Sequence, residues 1–199
     1  MNKIFIILLQ KITWKIATIF TIIYIIFFVL INFSNIGVSG LLKITGGENI
    51  LDFEFGYNKD EAYQILSALG FEGREFYLKN IIPMDFPFPL AYMLFYAGWI
   101  ALLIKNIYQI CKKCPFGNHN KRYKYLLFIP ILATLCDFIE NIGIITMLNS
   151  YPNLQEWSVY MASYAGILKT IFTIGSVGII VILIFVFIFK KLLIKKRIK

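Results

Sequence analysis

Long apolar runs separated by polar segments form the main pattern of the chain. Four runs are long enough, as helices, to cross the roughly 30 Å hydrocarbon core of a bilayer. They cover about residues 16–36, 87–110, 126–148 and 164–189. The pattern therefore predicts an all-α membrane protein, a four-transmembrane-helix bundle that forms a single domain over residues 1–199. The first run is longer than the ~7–15 apolar residues of a signal peptide, so we expect it to remain as an uncleaved span.

The segment between the first two runs, residues 37–84, has patterns of its own. Apolar and acidic residues alternate over 51–55, which predicts a short strand or an extended segment. Asn58 is a suitable N-cap for a helix over 59–69 that Gly70 would end. A second helix is expected from about residue 73 to 82. This loop is thus predicted to be a partly helical cap on the membrane domain.

Composition and charge then give the class and the orientation. The chain is 59% hydrophobic with a mean hydropathy of +0.72, which is too apolar for a soluble domain. Most of its 20 Lys and Arg residues lie near the N-terminus, around the loop 111–125 and in the basic tail 190–199. The positive-inside rule places these three segments in the cytoplasm, and the loop 37–84 outside a bacterial inner (plasma) membrane. Because the basic residues flank membrane helices, we expect them to contact anionic lipids and expect no nucleic-acid binding.

The third apolar run contains acids where a membrane helix normally has none. Asp137, Glu140 and Asn141 occur at i, i+3 and i+4, so they share one helical face. A single Asp near the centre opposes insertion by roughly 2.5–3.5 kcal/mol, comparable with what the apolar residues of such a run supply. The polar face must therefore meet partners or water inside the bundle, and ionisable residues in that position mark a candidate functional site.

Other polar residues are expected at a similar depth. Lys169, in the fourth run, is the candidate counter-ion for the acids. Asp85, just before the second run, is either a third functional acid or simply the N-cap of that helix. Tyr92, with Arg74 and Tyr77 from the loop, completes the candidate set. The alternatives are an interfacial aromatic belt for Tyr92 and Tyr96, and a structural ion-pair network for the charges.

The cysteines indicate a weaker possibility. Cys111 and Cys114 have C-x-x-C spacing and are followed by His119. Zinc normally has four ligands, so these three are only weak metal candidates, unless a dimer completes a shared site. The predicted cytoplasmic location favours a reduced thiol pair, and Cys136 is expected to be a packing residue. We therefore predict neither a metal nor a cofactor.

Three short motifs resemble a family of small bacterial membrane proteins with four predicted spans. The family patterns are G-R-x-x-Y in the first outer loop, D-x-x-F-P-x-x-Y before and within the second helix, and D-x-x-E-N in the third. The matching residues here are Gly73, Arg74 and Tyr77, then Asp85, Phe88, Pro89 and Tyr92, then Asp137, Glu140 and Asn141. The resemblance covers about residues 57–169. It supports the choice of residues and implies no particular reaction.

These observations lead to two functional hypotheses. In the first, the protein binds or processes a lipid or other amphiphile at an intramembrane site near the outer leaflet. Arg74 and Lys169 would attract an anionic headgroup, and Asp137, Glu140 or Asp85 would perform acid–base catalysis. In the second, it is a non-enzymatic component, a small transporter subunit or an accessory or assembly protein, whose polar cluster is structural or binds a partner. Expected partners are membrane lipids and either a second copy of the chain or another membrane protein.

Overall fold

The computed structural model describes residues 11–48, 50–110 and 123–197, and all the regular secondary structure in them is helical. The predicted all-α fold is thereby confirmed. Four helical segments are long and apolar enough to cross a membrane, namely Trp14–Thr45, Gly70–Ile110, Tyr125–Ser150 and Glu156–Leu193. The chain is therefore a multi-pass helical membrane protein.

In the described residues, one long helix is followed by four short helices and then by three long ones. The α-helices are α1 (Trp14–Phe33), α2 (Val38–Thr45), α3 (Lys59–Ala68), α4 (Gly70–Phe76), α5 (Ile82–Asp85), α6 (Phe88–Ile110), α7 (Phe128–Ser150) and α8 (Glu156–Arg197). A π-helical turn, Tyr77–Ile81, joins α4 to α5, and 3₁₀ turns form at Leu51–Phe53 and Tyr123–Leu127. The loop between α1 and α6 thus contains four short helices.

The helix ends differ from the hydropathy pattern most at α8. This helix has 42 residues and is about 63 Å long, whereas the sequence predicted a span over 164–189 and a separate basic tail. Glu156 in the first turn suits the helix dipole, and the helix continues at both ends beyond its apolar part. Hydropathy reports the membrane-embedded length, and backbone hydrogen bonding extends further.

The outer loop follows some of its predicted features and departs from others. Asn58 caps α3 in a capping box with Glu61, as its position suggested. Gly70 has a φ of +64°, which ends α3 and at once begins α4. The predicted extended segment 51–55 was wrong, since a 3₁₀ turn forms at its start and fully buries Leu51 in the core. The sequence pattern also missed α2.

Helix packing determines where the polar residues can meet. The most extensive contact is between α7 and α8, while α6 packs on α1, α7 and α8. At Gly143 of α7, an added Cβ would lie 2.7 Å from the Cβ of Ala162 and 2.9 Å from the Ser158 carbonyl oxygen. Small residues at this crossing allow α7 and α8 to approach closely. Their facing polar side chains therefore lie within contact distance.

Candidate functional site

A single lysine lies at the centre of the polar cluster. Lys169 of α8 forms an ion pair with Glu140 of α7, and its Nζ lies 3.6 Å from Asp137 Oδ1 and 3.9 Å from Asp52 Oδ1. The side chains of Glu140 and Asp137 are only 1% and 3% exposed, and that of Lys169 is 17% exposed. One cation therefore serves three carboxylates in a largely dry environment.

Neutral donors support the same carboxylates. The Tyr92 hydroxyl donates to Asp137 Oδ2 at 2.9 Å, and the Tyr77 hydroxyl donates to Asp52 Oδ2. Asn141 Nδ2 donates to Asp85 Oδ2 at 2.8 Å. The cluster thus connects the outer loop with α5, α6, α7 and α8.

A glycine on α8 makes room for the central ion pair. Gly166 lies one helical turn before Lys169, on the same face. A Cβ at Gly166 would lie 2.5 Å from Glu140 Oε1, which is closer than real Cβ contacts. The absence of a side chain at Gly166 therefore allows Glu140 to reach Lys169 along the surface of α8.

Several buried polar atoms of this region have no hydrogen-bond partner among the described residues apart from the contacts of the carboxylates with Lys169. Three are the carboxylate oxygens nearest Lys169, one on each of its partners, and the others are Tyr57 Oη and Asn141 Oδ1. Tyr57 belongs to the outer loop, whose chain is joined to α8 where the Tyr57 N–H donates to Ser163 Oγ at 2.8 Å. Burial, followed by the nearby charges of Glu140 and Asp52, holds the pKa of the Tyr57 phenol well above its usual range.

A cavity of about 250 Å³ adjoins the cluster. Its charged lining consists of Asp52, Asp85, Asp137 and Lys169. Glu140 and Asn141 do not line it. Glu140 forms an ion pair with Lys169, and Asn141 donates a hydrogen bond to Asp85. A molecule bound in the cavity would contact the lining carboxylates.

The remaining walls of the cavity are aromatic and aliphatic. Tyr24 of α1 stacks on Phe88 of α6, with ring centroids 6.0 Å apart, and Tyr92 meets Phe88 edge to face at 5.5 Å. Tyr96, one turn further along α6, and Ile174 of α8 also line the cavity. A site with a few charged groups and mostly apolar walls is typical of a small-molecule pocket.

The structure brings most of the sequence candidates together, with one clear exception. Asp85, Asp137, Glu140, Asn141, Tyr77, Tyr92 and Lys169 all belong to the cluster. Arg74 does not. Its Nη1 donates to the Leu66 carbonyl at 2.7 Å, and its guanidinium lies 3.9 Å from the centroid of the Tyr151 ring. Arg74 is thus not among the residues that line the cavity, because these contacts hold it against α3 and the loop between α7 and α8.

Sequence reasoning missed Asp52, Tyr57 and Gly166. Asp52 was assigned to an extended segment, although its place between the large apolar residues Leu51 and Phe53 was a signal of burial. Burial alone, however, would not have placed this loop carboxylate beside Lys169, which lies on a distant helix.

Metal chemistry finds no support in the described part of the chain. No group of three or more His, Cys, Asp or Glu side chains there could hold a metal ion, so the carboxylates of the cluster do not form a chelating site. Cys111, Cys114 and His119 lie outside the described residues. Cys136 is partly buried on α7.

Comparison with known proteins gives no further assignment. No family model, no curated protein and no solved structure matches the chain. The resemblance to a family of four-span bacterial proteins stays a prediction, and the functional argument rests on the geometry of the site.

Proposed function

We propose that this protein binds or processes a lipid or other amphiphile, and that the polar end of this molecule enters the cavity beside Lys169. The observation that carries the proposal is the cavity itself. It combines Asp85, Asp137 and Lys169 with aromatic and aliphatic walls inside a membrane domain. Charged groups within a bilayer are costly, and a substrate or ion site is the usual reason for them.

The depth of the site suits a molecule held at the outer headgroup level. On α8, Trp157, Tyr160 and Tyr164 are exposed, as in an interfacial aromatic belt, and exposed aliphatic side chains follow from Leu168 onward. Lys169 therefore lies just inside the hydrocarbon boundary. If the protein lies in a bacterial plasma membrane with both termini in the cytoplasm, this hydrocarbon boundary belongs to the outer leaflet.

The orientation can be tested separately from the ligand. In a variant that lacks the three native cysteines, a single cysteine replaces either Asp60 or Lys11. A membrane-impermeant maleimide added to intact cells should label the Asp60 position and leave the Lys11 position unlabelled until the cells are opened. The reverse pattern would place the cavity in the inner leaflet.

The roles of the acids in catalysis differ according to their positions. Asp85 and Asp137 line the cavity, so they are the groups that would take or give a proton at a bound molecule. Glu140 lies behind the lining and holds Lys169. If Asp137→Asn and Glu140→Gln variants insert normally and keep all cellular function, the catalytic part of the proposal is refuted.

A second candidate function is supported by the ion pairs. Since Lys169 joins α8 to Glu140 and Asp137 of α7, the cluster can also hold the helices together in a small transporter subunit or an assembly factor. In that case the cavity would need no occupant, and partner helices or a second copy of the chain would use the same bundle.

Mass spectrometry of lipids that co-purify with the protein distinguishes the two functions. Thr173→Trp would fill the cavity from α8, whereas Val177→Trp adds the same side chain one turn away on an exposed position outside the lining. We expect a bound amphiphile in the wild type and in Val177→Trp and its loss in Thr173→Trp. Equal lipid content in all three proteins would favour the structural function.

A further inference from the structure

We infer that the group bound beside Lys169 is a cationic amine, and that its alkyl chain leaves the cavity between α1 and α8. This inference rests on the proposed function and adds the charge of the ligand and its route. It replaces the expectation of an anionic headgroup attracted by Arg74 and Lys169, of which only Lys169 lines the cavity.

The charge balance of the cluster is the first reason. Asp52, Asp85, Asp137 and Glu140 supply four carboxyl groups, and Lys169 forms ion pairs with three of them, Asp52, Asp137 and Glu140. Asp85 has no ion-pair partner among the described residues, and it accepts a hydrogen bond from the neutral amide of Asn141. A ligand that brings a positive charge would balance this excess, whereas an anion would approach three carboxylates that line the cavity.

The geometry of Lys169 leaves acceptors for such a ligand. Its Nζ is 3.6 Å from Asp137 Oδ1 and 3.9 Å from Asp52 Oδ1, both beyond hydrogen-bonding distance. Asp137 is 2% exposed, and its Oδ1 accepts no hydrogen bond from the described residues. Both oxygens have almost no exposed surface, so an ammonium group reaches them by entering between Lys169 and these carboxylates, which leaves the Lys169 pair with Glu140 in place.

The aromatic wall is a second, independent reason. Tyr24, Phe88, Tyr92 and Tyr96 all line the cavity. Tyr24 also stacks on Phe95 at a centroid distance of 4.7 Å, which fixes its ring on α6. Aromatic faces attract ammonium groups through their electron-rich π systems, and several rings around one cavity are the usual environment for a bound amine.

The packing of the helices gives the route for the chain. The cavity is lined by Ile31 and Asn32 of α1 on one side and by Thr170, Thr173 and Ile174 of α8 on the other. α1 packs mainly on α6, and α8 packs mainly on α7, so these two helices border the cavity without an extensive contact of their own. Ile174 is 65% exposed at this border. An alkyl chain that follows this groove would lie parallel to the lipid chains.

Spin-label EPR of the purified protein in lipid nanodiscs tests both parts of the inference. The probes are an alkylammonium and an alkylsulfonate of the same chain length and nitroxide position, measured at pH 7, where both are charged. For each probe, the spectrum gives the ratio of the motionally restricted signal to the bulk-lipid signal. We expect this ratio to be at least tenfold higher for the ammonium probe than for the sulfonate probe. Asp85→Asn should reduce this preference by roughly tenfold, as for the loss of one charge-assisted contact, whereas Asp60→Asn on the exposed start of α3 should not.

Each other outcome has a separate meaning. If the sulfonate is restricted as much as the ammonium and Thr173→Trp removes both signals, the amine assignment is overturned and the proposed function stands. If Thr173→Trp changes neither signal, both are overturned. If methylammonium without a chain displaces the ammonium probe as well as the unlabelled alkylammonium does, the chain route between α1 and α8 is overturned. The comparison of the two probes in the wild type decides the charge of the ligand even where a variant fails to fold.

Discussion

Removal of the Lys169 charge should be the most damaging single change in the polar cluster. Lys169→Met keeps the length and most of the apolar stem of the side chain, so the main loss is the ammonium group. Asp137, Glu140 and Asp52 would then have lost their shared cation. Removing one partner of a buried ion pair typically costs about 3–5 kcal/mol, because the remaining charges stay buried without compensation.

The distances support the same magnitude. A pair of unit charges about 4 Å apart interacts by about 4 kcal/mol at an effective dielectric constant of about 20, and Lys169 has three such neighbours. In the wild type, part of this attraction is offset by the cost of burying the Lys169 charge. Lys169→Met removes that cost together with the attraction. We therefore expect a loss of about 3–5 kcal/mol in the free energy of unfolding.

Lys79→Met is the matched control for this change. Lys79 forms an i,i+4 ion pair with Glu75, but its side chain is 68% exposed. Exposed helix pairs of this kind contribute only about 0.3–0.5 kcal/mol. The two variants thus make the same chemical change in a buried and in an exposed ion pair.

Reversible unfolding in mixed micelles, followed by circular dichroism, measures the difference. A Glu140→Gln substitution added to Lys169→Met should recover part of the loss, since it neutralises the carboxylate paired most closely with the lysine. If Lys169→Met unfolds no more easily than Lys79→Met, the buried network contributes little, and the electrostatic account of the site is wrong.

Two further changes test how the network is held in place. Gly166→Ala should lower the free energy of unfolding by about 1–3 kcal/mol, because the new Cβ would meet Glu140 Oε1, whereas Gly178→Ala, on the same helix with nothing within 4 Å, should be nearly neutral. Equal effects in the same unfolding assay would show that Glu140 does not depend on this close approach. Tyr92→Phe should cost about 1–3 kcal/mol, since Asp137 Oδ2 loses its 2.9 Å hydrogen bond while buried. An unchanged midpoint of unfolding for Tyr92→Phe would mean that this hydrogen bond is not formed in the membrane.

The spans could be predicted from the sequence because each needs about 20 apolar residues, a requirement that is local. The helix ends could not, because they depend on hydrogen bonding and caps outside the bilayer. α8 shows this most clearly, with polar and basic turns added at both ends of its apolar part. The 3₁₀ turn at Leu51–Phe53 likewise depends on the burial of Leu51 in a core formed by distant residues.

The candidate site was partly visible for a similar reason. Asp137 and Glu140 interrupt an apolar run, so their cost is apparent in the sequence alone. Asp52 reaches the same lysine from a polar loop, where an acid has no evident cost, and only the tertiary fold brings it to Lys169. Arg74 has an equally suggestive position in a motif, yet it contacts Leu66 and Tyr151 instead. Residue type and spacing indicated the helical part of the site and Tyr77 of the loop, and could not indicate that Asp52 reaches Lys169.

Photo-crosslinking is the most direct test of the claim that the cavity holds an amphiphile. The probes carry a diazirine on the first carbons of an alkyl chain, in cationic and anionic forms, and labelled peptides are identified by mass spectrometry. We predict labelling of α1 near Asn32 and of α8 near Ile174, and its loss in Thr173→Trp but not in Val177→Trp. Labelling spread evenly over lipid-facing residues such as Phe185, and unchanged by Thr173→Trp, would contradict an amphiphile site in this cavity.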